Sequence, residues 1–243
     1  DTRLDFDYGV SVDHLIVTAT EHQKKFRYEL TIHNAEEFLK VPLIVNDGLH
    51  KNLMESLYAV VGDKREIVAL PAGVGMQVEL LSRTSVAGYV PFERRSTRLK
   101  NHSHGRFSPL ALLSMRQCLQ ERLDTISGPS ILRVFIKRNS GIRNITNASE
   151  IEELLVAHGF SVIEPEFLTH AQQIALFSNA DMVVGATGAA MANLIFCKPT
   201  TKIIIMISDY KFMPYWYWQN MACAVGNRVT YVFGKCMGPR SYL

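Results

Sequence analysis

Ala180-Asp181-Met182-Val183-Val184-Gly185-Ala186-Thr187-Gly188-Ala189-Ala190-Met191-Ala192-Asn193 is the stretch that decides the fold. Residues 181–184 have the length and β-rich character of a buried strand. Gly185-Ala186-Thr187-Gly188 follows as a small-residue turn, and residues 189–196 then read as an apolar helix. A strand that passes through a tight glycine turn into a helix is half of a βαβ unit.

The same alternation continues outward on both sides. Upstream, 131–136 is a β-rich apolar strand and 137–145 a polar Arg/Gly/Asn loop. Residues 149–158 form a helix, with Asn147 three residues before Glu150 as its cap signature. Gly159 ends that helix, 161–163 is a strand closed by Glu164-Pro165-Glu166, and 169–178 is a helix. Downstream, 202–207 is a strand ending at Ser208-Asp209, and 228–233 is the last strand. Between these two, Tyr215-Trp216-Tyr217-Trp218 reads as an aromatic helix, started by Pro214, packing onto the sheet with Met221 and Val225. Strands alternating with helices specify a parallel sheet covered on both faces.

The first half is less regular. A strand at 41–45 is closed by Asn46-Asp47-Gly48, a helix runs from 50 to 61, and a strand spans 66–70. Residues 78–82 and 85–90 read as extended. A basic, polar loop covers 93–106, and Ser108 with Pro109 starts a helix to 123. Ser127-Gly128-Pro129 marks the expected domain joint, giving an N-terminal α/β lobe over 1–127 and a Rossmann-like lobe over 128–243. The chain begins at Asp1 and is short for two full nucleotide-binding lobes, so the first lobe is expected to be trimmed.

Composition closes several doors. The 243 residues are 47% hydrophobic and 20% charged, which excludes a disordered or fibrous chain. A net charge of +3 is too mild for a nucleic-acid binder, and no such partner is expected. The four cysteines form no CxxC pair and read as buried free thiols. No apolar run reaches membrane-span length. The N-x-S/T triplets at Asn101, Asn144 and Asn147 matter only in a secreted protein.

Open parallel sheets bind ligands at the carboxyl ends of their strands. There the sequence places Lys137, Arg138 and Arg143, then Glu164 and Glu166, then the glycine turn, then Asp209. Arginines beside a glycine turn at a helix N-terminus suit a diphosphate, and a glutamate suits two ribose hydroxyls. A nucleotide or nucleotide-sugar site is the resulting expectation. Asp209 lies 21 residues after Gly188, near the spacing of a dinucleotide-binding acid. The turn nevertheless lacks GxGxxG spacing and follows the third strand of its sheet, which argues against NAD. Asp5-Phe6-Asp7 has acid-pair spacing but no preceding strand, so no metal is expected. The basic stretch 94–106 reads as a solvated loop or lid; contact with an anionic membrane or acidic glycan is its second reading.

Residues 131–196 resemble the core of glycosyltransferase family 61. The resemblance is carried by Arg138, Arg143 with Asn147, Gly159-Phe160, Pro165-Glu166, Gln173, and the stretch from Ala180 to Asn193. It extends weakly to the Ser108-Pro109 helix and to 41–47. It implies a GT-B-like fold of two Rossmann-like lobes and an inverting transfer of sugar from a nucleotide donor to a glycan or protein hydroxyl. A UDP-sugar is the expected donor, without cofactor, in surface or capsular polysaccharide biosynthesis. By the same resemblance Arg138 and Arg143 face the donor phosphates, and Glu166 and Gln173 lie near the nucleoside. Gly188, Ala189 and Asn193 cradle phosphate, beside Thr187. The family's usual His in this turn is Thr187 here, which can neither carry charge nor act as a base near neutral pH. A catalytically silent nucleotide- or glycan-binding module of a larger synthase is therefore the alternative. For the base that takes the acceptor proton, Asp47 and His104 are the candidates, ahead of His14, His50 and His102; taken alone, Asp47 reads first as a cap of the helix that follows it and His104 as a solvated loop residue. The expected location is the cytoplasm, at a membrane, in a bacterium, or the ER/Golgi lumen in a eukaryote.

Overall fold

A computed structural model describes residues 41–49, 51–61, 65–81, 88–89, 105–123, 131–139, 144–209 and 216–235. The chain is a mixed α/β protein in two compact units, Asp1–Val86 and Ala87–Leu243. In the first, β1 (Leu43–Asn46), α1 (Lys51–Val61) and β2 (Ile67–Leu70) form a βαβ unit whose strands pair in parallel.

The second unit opens with a short antiparallel pair, β3 (Gly88–Tyr89) and β4 (Arg106–Phe107), followed by α2 (Pro109–Leu123). Then come β5 (Arg133–Ile136), α3 (Ala148–Ala157), β6 (Ser161–Ile163), α4 (His170–Asn179), β7 (Met182–Ala186), β8 (Lys202–Ser208), α5 (Trp216–Ala224) and β9 (Val229–Gly234). A 3₁₀ turn, Pro165–Phe167, precedes α4, and a 3₁₀ helix, Ala189–Phe196, follows β7.

The five strands form one parallel sheet in the order β6-β5-β7-β8-β9. From β5 the chain crosses outward to β6, then returns to the other side of β5 to lay down β7. That reversal makes the gap between the carboxyl ends of β5 and β7 the switch point of the sheet, where open sheets hold ligands.

Period-two alternation supplies both faces with apolar groups. Phe135, Val184 and Met206 line one face, with Ile151 and Leu155 of α3 packed against them. Val134, Val183, Ile203 and Ile205 lie on the other, each almost fully buried. Gly185 lets this second face close: a Cβ there would meet Met191 Sδ at 2.9 Å and Ile136 Cβ at 3.0 Å.

Several expectations need correction. Residues 78–81 make no strand and are exposed, and of 85–90 only Gly88–Tyr89 is described as strand. The helix after the glycine turn is 3₁₀, closed by i→i−3 bonds such as Met191 N–H to Gly188 O at 3.0 Å. Asn147 does not cap α3; its amide donates to Glu150 Oε2 at 3.3 Å. The units divide upstream of the 127/128 joint because α2 belongs with the sheet. Its Leu119 is buried, and Gln120 Nε2 donates to Ser178 Oγ of α4 at 3.1 Å. Cys197 is buried, but Cys223 is exposed. Among the described residues no helix is long and apolar enough to cross a membrane.

Candidate donor site

The structure brings Arg138 and the glycine turn together at the switch point. Arg138 leaves the end of β5, and its Nη1 donates to the carbonyl of Thr187 at 2.7 Å. The guanidinium lies where a Cβ on Gly188 would stand. Gly188 is thus glycine because an arginine crosses directly over its Cα, and its extended backbone carries no strain.

Thr187 is fixed on three sides. Its N–H donates to Met206 O on β8 at 2.9 Å, its carbonyl accepts from Arg138, and its hydroxyl accepts from Trp218 Nε1 at 2.9 Å. The side chain is buried. Trp218 sits on α5, and Asn220 of the same helix donates to Gly105 O at 2.7 Å. Tyr217 packs edge-on against Phe107 at 5.3 Å, and burial raises its phenol above its ordinary pKa. From Trp216 on, the aromatic helix is a packing element, as its spacing predicts; Pro214 and Tyr215 lie outside the described residues. Its indole bond to Thr187 pairs residues 31 apart, a contact that periodicity does not reveal.

Gln173 and Asn193 meet each other. Asn193 Nδ2 donates to Gln173 Oε1 at 2.8 Å, and Gln173 Nε2 donates to Pro165 O at 2.9 Å and Leu168 O at 3.3 Å. Gln173 is buried. These amides brace the 3₁₀ helix after Gly188 to the turn after β6. Ala189, at the start of that helix, is exposed.

Glu166 is exposed in the Pro165–Phe167 turn at the end of β6. Lys137, the other cation at the end of β5, is spent elsewhere: its Nζ lies 2.9 Å from Glu152 Oε2. That bond, with the charges of Glu152 and Glu164, holds its ammonium above the ordinary lysine pKa. Arg138 is therefore the cation that the described part of the loop aims at the turn. Arg143 and His104 lie outside the described residues, as do His14, His50 and His102.

Asp47 stands in the first unit, just past the end of β1. Its N–H donates to Leu70 O and its exposed carboxylate accepts from the Gly48 N–H at 2.8 Å. Among the described residues no three His, Cys, Asp or Glu side chains are grouped to hold a metal ion.

The Glycosyltransferase 61 family model matches residues 32–204, more than half of the chain. The chain belongs to glycosyltransferase family 61. No curated protein matches it. The family match starts well upstream of the 131–196 resemblance and takes in β1, α1 and β2 as well as the switch point. The protein is thus a glycosyltransferase by family, and its Arg138–Thr187–Gly188 crossing lies inside the matched region.

Proposed function

We propose that this family 61 protein transfers a sugar, with inversion and without a metal, from a nucleoside diphosphate donor, a UDP-sugar, to a glycan or protein hydroxyl in surface polysaccharide biosynthesis. The observation that carries the reading is the crossing of Arg138 over Gly188 at the switch point. It supports a site for a diphosphate, where a fixed cation and the amides of a glycine turn stabilise the charge that grows on the leaving group. Arg143 is the second cation and Glu166 the acceptor for the ribose hydroxyls. The first unit's βαβ element supports a second Rossmann-like lobe, hence a GT-B arrangement with the acceptor on that side. Asp47 or His104 removes the acceptor proton.

The alternative is a silent nucleotide-binding module, and one observation favours it. Where the family carries His, the buried Thr187 hydroxyl is held by Trp218. It supplies neither charge nor a base.

Titration of the protein with UDP, GDP, TDP, CMP and NAD tests the donor site. A nucleoside diphosphate should bind and NAD should not. Arg138→Ala should weaken that binding about 10- to 100-fold, the worth of a charge-assisted hydrogen bond. Equal affinity in the variant removes the phosphate assignment. Donor hydrolysis or transfer by the wild type separates enzyme from silent module. Loss of turnover in Asp47→Asn or in His104→Asn, with nucleotide affinity kept, identifies the base.

A further inference from the structure

We propose that Phe167 is the stacking platform for the nucleobase of the donor, a role that rests on the nucleoside diphosphate reading above. Phe167 is 78% exposed, the most exposed large apolar side chain among the described residues. A single apolar side chain on a surface is ordinary. This one differs in how firmly it is held and in where it stands.

The hold is local and redundant. Pro165 fixes its own φ and is buried. The Phe167 N–H donates to Glu164 O at 3.2 Å and the Leu168 N–H to Pro165 O at 3.0 Å. Gln173 Nε2 reaches the Pro165 and Leu168 carbonyls from α4. The capping box of Thr169 and Gln172 fixes the start of α4 immediately afterwards. A ring exposed on a floppy loop would lose rotational and backbone freedom on meeting a ligand. The backbone that carries Phe167 has already lost its share.

Its place follows from the sheet. β6 is the parallel neighbour of β5, and the Lys137 N–H donates to Ile163 O at 2.8 Å, so the two strand ends lie side by side. Arg138 is the next residue on β5's side. On the other side, the Gln173–Asn193 bond ties the Phe167 turn to the 3₁₀ helix that begins after Gly188. One brace thereby sets the spacing between the phosphate turn and the ring. Glu166 is the residue before Phe167 and is also exposed. Glu166 and Phe167 are consecutive in one 3₁₀ turn, so a carboxylate and an aromatic ring stand next to each other at the end of β6. A nucleoside presents the matching pair, a ribose with two hydroxyls and a flat base. Every base has a π-face, so Phe167 adds affinity for the nucleoside without selecting which base it carries.

The test compares a probe that has a base with one that lacks it, on the full chain. UDP, GDP and TDP are titrated beside inorganic pyrophosphate into wild type, Phe167→Ala, Phe167→Tyr and Arg138→Ala. Phe167→Ala should weaken the best-bound nucleoside diphosphate about 5- to 100-fold, the range for loss of one base stack. It should leave pyrophosphate affinity unchanged, and Phe167→Tyr should restore nucleotide binding. Arg138→Ala should weaken both kinds of probe. Since the ring is exposed, the melting temperature of Phe167→Ala should match wild type. Nucleotide affinity within about two-fold of wild type in Phe167→Ala overturns the platform and leaves the donor site standing. Equal losses for nucleotide and pyrophosphate overturn it too, because they report a disturbed turn. A wild-type chain that binds no nucleoside diphosphate overturns the donor reading and the platform together.

Discussion

At Thr187 the chemistry of one hydroxyl decides how the glycine turn works. A buried indole N–H with no acceptor costs about 1–3 kcal/mol, and here the threonine oxygen removes that cost. Thr187→Val, similar in shape but without the hydroxyl, should therefore destabilise the protein by about that amount. Because the Thr187 carbonyl that holds Arg138 is unchanged, nucleotide affinity should survive. Trp218→Phe removes the donor instead, and in the double variant neither group is orphaned. The two changes should couple by more than about 0.5 kcal/mol in chemical denaturation; simple additivity would mean that the bond contributes nothing. Arg138 was legible as a strand-end cation and Thr187 as a turn residue. Their mutual bond was not, nor was the tryptophan behind them, because contacts that span 31 and 49 residues leave no local pattern. Phe167 had a weak signal of its own, an aromatic residue straight after Pro-Glu in a strand-end turn.

Elements were legible where burial imposes a period. Strands β5, β7 and β8 lie between two covered faces and appear as short apolar runs. Residues 78–81 have similar residues but make no strand, because a strand exists only through its neighbours. The eight residues after Gly188 scan as a helix, and nothing in so short an apolar run distinguishes i→i−3 from i→i−4 bonding. Asn193 and Gln173 stood out through the family resemblance as donor-binding residues; the fold uses their amides as a cross-brace. Gln173→Leu keeps much of the volume but deletes the bonds to Asn193, Pro165 and Leu168. At a site 7% exposed this should cost about 2–3 kcal/mol, at least one buried partner being left unsatisfied. It should also free the Pro165–Phe167 turn, seen as faster amide exchange at Phe167 and Leu168. Unchanged exchange at those two amides would show that Pro165 and the Thr169 capping box suffice to hold the turn.

Over the whole chain, the two units differ in what holds them. The buried residues among those described, Leu119, Val134, Ile205 and Asn227 among them, all belong to the second unit. No described residue between 41 and 81 is buried, and Leu53 and Tyr58 of α1 are more than half exposed. This is why the alternation was plain from about residue 130 and blurred before it: period follows burial, and the described part of the first unit buries little. The division at 86/87 was illegible for a related reason, since α2 joins the sheet's helices through Leu119 and Gln120, contacts that span the Ser127-Gly128-Pro129 signal. Protection against hydrogen exchange tracks local burial and cooperative unfolding. In the full chain the amides of β5, β7 and β8 should be the slowest to exchange, opening only with global unfolding of the second unit. Those of β1, β2 and residues 71–81 should exchange far sooner, through openings that leave the sheet closed. Two well-separated exchange classes would assign stability to the five-stranded sheet and adaptability to the unit that holds Asp47. If the amides of β1 and β2 instead exchange as slowly as those of β7 and β8, the first unit shares the sheet's global stability, and burial among the described residues is the wrong guide to it.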